Sequence, residues 1–226
     1  MKITKYPQSC ILIETKGKKI LIDPGNYVYE ETDITPDNWK DIDFLLITHR
    51  HHDHCMPEAI KVIKKNNPRI NILGNSEVGD VLKEAGVGVE IVKVGDVQEF
   101  ENIKIEVVKA VHGYWFEMKD KGFPKENNGF IINDGDLKVY HCGDTISFYN
   151  EFKVDVVLVP ICGHGVVMEP DIAVAFCQEI NPKLVIPIHY ESKKHPLGTD
   201  KFEEEIKKSG LNYKILGNSE SVEINK

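Results

Sequence analysis

Thr48-His49-Arg50-His51-His52-Asp53-His54 holds four of the chain's nine histidines and an aspartate. Before it, Asp43-Phe44-Leu45-Leu46-Ile47 is a short apolar run that predicts a buried strand. After it, Met56 to Ile63 has helical spacing, with Pro57 in the first turn. The cluster therefore occupies a strand-to-helix loop. Imidazole nitrogens with a carboxylate are the usual ligand set for zinc and its neighbours, so the stretch reads as metal-binding. The plainer alternative is a polar loop whose histidines are only solvated. In an extended segment His49 and His51 point the same way, whereas the neighbours Asp53 and His54 point apart and cannot both face one ion. That spacing predicts two ions side by side.

Other apolar strands end in the same kind of residue. Ile103 to Val108 alternates cleanly and runs to His112. Lys138-Val139-Tyr140-His141 leads to Cys142-Gly143-Asp144, Val156 to Ile161 leads to Cys162-Gly163-His164, and Leu184 to Ile188 leads to His189. A lone histidine at a strand end is usually a polar cap. Five strands that each deliver a histidine or aspartate at the carboxyl end predict one site at that edge of a sheet. Earlier in the chain, Cys10 to Glu14 and Lys19 to Ile22 read as two strands joined at Gly17 and ending at Asp23-Pro24-Gly25, where the aspartate suits a turn.

His49-x-His51-x-Asp53-His54, the lone His112, Gly143-Asp144-Thr145 and the late His189 together resemble the signature of the metallo-β-lactamase superfamily. With Gly163-His164 and the helix start at Pro170-Asp171-Ile172-Ala173, the resemblance is closest to its L-ascorbate-6-phosphate lactonase-like branch and covers nearly the whole chain. It implies an α/β fold (α+β by some schemes), the four-layer αββα sandwich. It also implies two divalent ions, zinc or manganese with iron as a further choice. His49, His51 and His112 would hold the first, Asp53, His54 and His189 the second, and Asp144 would bridge them. It gives Asp23 the role of supporting the metal loop. On this reading the chain is a hydrolase in which a hydroxide shared by the ions attacks a small, anionic ester or lactone. A phosphodiesterase acting on nucleotides, RNA ends or phospholipid head groups is the alternative, and a non-catalytic metal-binding module ranks third. Asp53 would also orient the hydroxide. His164 would donate to the developing oxyanion or support a ligand, two roles that stay open. Where the closest branch carries Gly-His-Ser, this chain has Pro7-Gln8-Ser9.

Length and composition agree with that reading. The 226 residues, 41% of them hydrophobic, predict one domain over 1–226 with a substantial core. No apolar stretch is long enough to cross a bilayer and no signal peptide is evident, so a soluble cytoplasmic protein is expected. A net charge of −8 disfavours long nucleic acid as a partner. A small-molecule substrate remains, and a homo-oligomer is left open. Five cysteines without a C-x-x-C pair indicate no disulfide framework. His141 and Thr145 are expected behind the ligands, and His52 and His195 in solvent. The aromatic stretch from Gly113 to Pro124 reads as a loop over the site or as packed plugs, with equal support for each. Thr199 to Ser209 is predicted as a helix capped by Thr199 and Gly210, followed by two short strands between Tyr213 and Ile224.

Overall fold

The computed structural model describes residues 1–114, 122–148, 152–193 and 196–226. Its first sheet grows from a hairpin. β2 (Ile11–Thr15) and β3 (Lys18–Ile22) pair antiparallel across a turn in which Lys16 and Gly17 both take positive φ, the conformation a tight two-residue hairpin needs. On one side lie β1 (Lys2–Lys5) and β13 (Ser221–Glu223), both antiparallel. On the other lie β4 (Phe44–Leu46), β5 (Asn71–Gly74) and β6 (Glu90–Ile91), all parallel. The second sheet repeats the scheme in order β12-β11-β10-β9-β8-β7. Here β7 (Val97–Phe100), β8 (Ile103–Lys109), β9 (Asn128–Asn133) and β10 (Lys138–His141) are antiparallel, and β11 (Val156–Pro160) and β12 (Leu184–Ile188) run parallel to β10.

Parallel neighbours need crossovers, and helices lie in those from β3 to β4, β4 to β5, β5 to β6 and β11 to β12. α1 (Asn26–Glu31) follows β3. α2 (Pro57–Asn66) and α3 (Ser76–Glu84) cover the first sheet, and α4 (Pro170–Ile180) and α5 (Asp200–Ser209) the second. Ala59, Ile60 and Ile63 of α2 and Phe202 and Ile206 of α5 are buried at helical spacing, so each helix turns one face to its sheet. Apolar contacts form three layers. Ile13, Ile20, Phe44, Phe130, Val156 and Ile186 belong to the layer between the sheets. Leu45, Ile60 and Leu82 lie under α2 and α3, and Tyr140, Phe176 and Phe202 under α4 and α5. This is the expected αββα sandwich of two mixed sheets. Burying each such side chain stabilises the fold by about 1.5–3 kcal/mol.

Three local readings differ. β1 and β9 carry no strong alternation, so the sequence does not predict them as strands. Between Tyr213 and Ile224 there is one strand, because Tyr213 makes only a single bridge to Val185. Thr199 makes no side-chain cap, its backbone being helical there, whereas Gly210 ends α5 with φ 76° as expected. At the end of β1 the Lys5 side chain is fully buried. Its Nζ donates to Asn218 Oδ1 at 3.3 Å and sits 4.2 Å over the Tyr190 ring. Among the described residues no helix is long and apolar enough to cross a membrane.

Candidate metal centre

Six strands open at one edge of the sandwich: β3 at Asp23, β4 at His49, β8 at His112, β10 at Asp144, β11 at His164 and β12 at His189. At four of them the chain turns sharply through a left-handed residue, Asp23 (φ 49°), Gly143 (φ 61°), His164 (φ 57°) and His189 (φ 60°). Position 143 has to be glycine. A Cβ there would lie 2.7 Å from the Asn128 carbonyl oxygen and 3.1 Å from Thr48 Cβ.

The histidine loop hangs on the buried Asp23 carboxylate. Its Oδ1 accepts from Thr48 N at 2.8 Å, and its Oδ2 accepts from Thr48 Oγ1 at 2.7 Å and from His54 Nδ1 at 2.8 Å. These contacts fix protons. A carboxylate only accepts, so the Thr48 hydroxyl hydrogen points to Asp23, and the same hydroxyl must accept from His49 Nδ1, 3.0 Å away. His54 likewise keeps its proton on Nδ1, and His112 does so by donating from Nδ1 to the Gly113 carbonyl at 2.8 Å. Three histidines thus present a bare Nε2, the arrangement that partners behind metal-binding imidazoles impose. From the other side Gly25 presses on the loop backbone. A Cβ on it would lie 1.9 Å from the Asp53 carbonyl carbon and 2.5 Å from His54 N.

Donor atoms gather into three overlapping groups, each within 4.8 Å: His49, His51 and His112; Asp53, His54 and His189; and His49, His54 and Asp144. His49 Nε2 lies 3.1 Å from His51 Nδ1. Asp144 stands between the first two groups, with Oδ1 3.3 Å from His54 Nε2 and Oδ2 3.2 Å from His189 Nε2 and 3.6 Å from His112 Nε2. One expectation needs correction. Asp53 and His54 do face one point, with Asp53 Oδ2 3.6 Å from His54 Nε2. Residues 52–54 form a turn closed by His54 N and Cys55 N donating to the His51 carbonyl at 2.9 and 2.7 Å, so the alternation of an extended strand stops at His51.

The donor set fits divalent cations. Ten buried side-chain polar atoms have no hydrogen-bond partner among the described residues, and four of them are His54 Nε2, His112 Nε2, His189 Nε2 and Asp144 Oδ1. Orphaned buried polar atoms are costly, and a cation between them satisfies several at once. The field has the matching sign. Burial would lower His54 and His189, yet the carboxylates, chiefly Asp144, outweigh it and hold both imidazoles well above their ordinary range. Against the desolvation that raises them, the neighbouring His54 and His189 hold Asp53 and Asp144 below the usual carboxylate range. Burial pushes His49 well down, and burial with the neighbouring His112 takes His51 to about 4.

Several residues stand apart from the groups. His164 is exposed in a turn where Gly163, His164 and Gly165 all have positive φ. That turn lies against the end of β8, since Gly113 N donates to the Val166 carbonyl at 2.7 Å. His141 is buried behind the centre, donating from Nε2 to the Ser9 carbonyl at 2.9 Å and accepting from Gly143 N at 3.2 Å through Nδ1. Thr145 Oγ1 accepts from Val111 N and Ser147 N. His52 is exposed. His195 and most of the aromatic stretch, 115–121, lie outside the described residues. Sequence reasoning passed over Thr48 and Asn127, whose amide donates to the Asp144 carbonyl. Thr48 adjoins His49 and could have been suspected, but Asn127 has no local signature.

The family described as the beta-lactamase superfamily domain matches residues 2–189. A UPF0173 metal-dependent hydrolase of Staphylococcus carnosus is 32% identical over 205 residues, spanning 85% of this chain and 86% of that one. Another from Nanoarchaeum equitans is 30% identical, over 99% of this chain and 100% of its own length. Among solved structures, the metallo hydrolase Igni18 of Ignicoccus hospitalis superposes with a TM-score of 0.80 at 24% identity, covering 98% of this chain and 97% of the other. That likeness shows the shared fold.

Proposed function

The chain belongs to the beta-lactamase superfamily and is a metal-dependent hydrolase, and from that premise we propose that it cleaves a small, anionic ester or lactone at a centre of two divalent ions. The observation that carries the proposal is the set of bare, buried donor atoms gathered at one sheet edge, with protons held away from them by Asp23, Thr48 and the Gly113 carbonyl. His49, His51 and His112 would hold one ion, Asp53, His54 and His189 the other, with Asp144 between them. Zinc, manganese and iron all suit such a mixed imidazole and carboxylate set. Two such ions supply Lewis acidity toward the ester oxygen and bring the pKa of water toward neutrality.

The chain's own residues have distinct tasks in this scheme. Asp53, half-buried at the mouth, accepts a hydrogen bond from the attacking water and so orients it. His164 donates to the oxygen on which charge develops, a role supported by the packing of its turn beside His112. The lactone-cleaving branch read from the sequence is part of the same proposal.

Elemental analysis after mild dialysis tests the centre, with two ions per chain expected and a lower melting temperature after chelation, since ions that bind only the folded site stabilise it by mass action. A reproducible single ion with full activity would remove the two-ion scheme. A panel of lactones, simple esters, a phosphodiester and a structured RNA, each with Mn2+ or Zn2+, tests the substrate class. Turnover of the phosphodiester alone would replace the ester reading.

A further inference from the structure

Among the described residues eight large apolar side chains are exposed, and all but Ile172 of α4 fall in two places. Ile91, Val94 and Val97 lie where the two sheets' end strands approach one another. Val111, Tyr114, Ile146 and Phe148 lie on the two segments that carry His112 and Asp144. The second set is exposed by 37, 55, 45 and 40%. Its two segments are bonded to each other, with Val111 N donating to Thr145 Oγ1 at 3.1 Å and Ile146 N to the Val111 carbonyl at 2.9 Å. One apolar wall therefore continues from the ligand pair His112 and Asp144, whose side chains are 3.6 Å apart.

This wall is built rather than loose. The Tyr114 ring stacks on Phe123 with centroids 4.4 Å apart and an interplanar angle of 25°, and Phe148 packs edge-on against the buried Phe176 at 5.8 Å. Arg50, the cation between His49 and His51, donates from Nη2 to the Phe123 carbonyl at 3.1 Å, and its Nε is paired with Glu77 at 3.4 Å. Its guanidinium is thereby held to the protein rather than offered to a ligand. Contiguous exposed apolar residues cost solubility, and next to a reaction centre they mark a binding surface.

We propose that Val111, Tyr114, Ile146 and Phe148 form a subsite for an apolar alkyl or aryl group carried on the acyl side of the bond that is cleaved. This rests on the hydrolytic reading of the centre. The carboxylate formed by hydrolysis then sits at the ions while its apolar tail lies along the wall.

Product-like carboxylates test this without turnover. Acetate, hexanoate and phenylacetate would be titrated calorimetrically into metal-loaded protein, and in parallel into the double variant Tyr114→Ser/Ile146→Ser. Both residues are exposed, so the variant should keep its metal content and melting temperature, and those are measured first. Each methylene buried contributes up to about 0.8 kcal/mol, so even partial coverage of a four-methylene extension gives roughly a tenfold tightening from acetate to hexanoate. Phenylacetate should follow hexanoate, and the double variant should bind neither more tightly than acetate. Equal affinities across the series in the unaltered protein, or an undiminished preference in the variant, would overturn the subsite. A preference for apolar acids in a protein that cleaves nothing in the ester and lactone panel would uphold the subsite and overturn the hydrolytic reading on which it rests.

Discussion

The two halves of the candidate centre are held in opposite ways. Four of its residues, His49, His51, Asp53 and His54, share one loop. That loop is fixed as a unit by Asp23 and Gly25 from below and by Asn75 Nδ2 and Asn128 N, both donating to the Thr48 carbonyl. The other three come from separate strands, each with its own support: the Gly113 carbonyl for His112, Asn127 for Asp144, and the Gln8 carbonyl, which accepts from His189 N at 2.9 Å. A local loop fails or holds together, because its supports are common. Residues on separate strands are free to fail one at a time.

Asp144 breaks that pattern if it is the bridge, and so carries the largest expected effect. Its carboxylate faces histidines of both triads, so Asp144→Ala should lower metal content by more than one ion per chain and reduce activity by roughly a hundredfold to a thousandfold, the scale for losing a preorganised electrostatic group. Elemental analysis beside turnover would check this. Retention of one tightly held ion would put Asp144 with a single triad.

Gly25→Ala sharpens the comparison from the loop side. The added Cβ cannot fit against the backbone of Asp53 and His54, so the loop must shift as a whole. Stability should fall by roughly 2–3 kcal/mol in denaturant titrations. Both ions should weaken together, and loss of only one would mean that the loop's ends move independently.

A smaller effect is expected at Asp23. Asp23→Asn keeps the size but replaces an oxygen that accepts from both Thr48 and His54 with a donor or leaves one of them unpaired. Affinity for the ion near His54 should drop by roughly tenfold to a hundredfold in competition with a chelator, the usual scale for a group behind a ligand. His52→Ala, an exposed change in the same loop, serves as the control and should leave metal affinity unchanged.

What could be read from the sequence follows from the range of the forces involved. Strands β2, β3, β4, β8 and β11 announce themselves because their apolar pattern is local, and the histidine loop does so because its chemistry is local too. The gathering of His112, Asp144 and His189 was legible only as a recurrence at strand ends. β9 escaped notice because Asn127-Asn128-Gly129 at its start looks like a turn, while in the fold Asn128 N is bonded to Thr48 and Asn127 to Asp144, partners 80 and 17 residues away in the chain. The pairing of Asp53 with His54 was misjudged because nothing local shows that the extended backbone ends at His51. His164, expected at the same strand-end edge but outside the ligand set, is exposed there in a run of three left-handed residues.

The buried lysine at the end of β1 makes this fold a proton-linked one. Burial lowers the Lys5 ammonium from its usual 10.5 to about 8, against the opposing pull of Glu191 and Cys10. Between those two values the unfolded chain keeps a proton at this position that the folded chain has released, so stability attributable to Lys5 rises with pH across that window. At neutral pH the ammonium is retained at a cost on the order of 3 kcal/mol, before the Asn218 bond and the Tyr190 ring offset part of it. Lys5→Met removes the cost without emptying the space. In paired denaturant titrations its stability relative to the unaltered protein should be most favourable below pH 8 and should decline steadily toward pH 10.5; a difference that stays flat over that range would mean that Lys5 remains charged where it is buried.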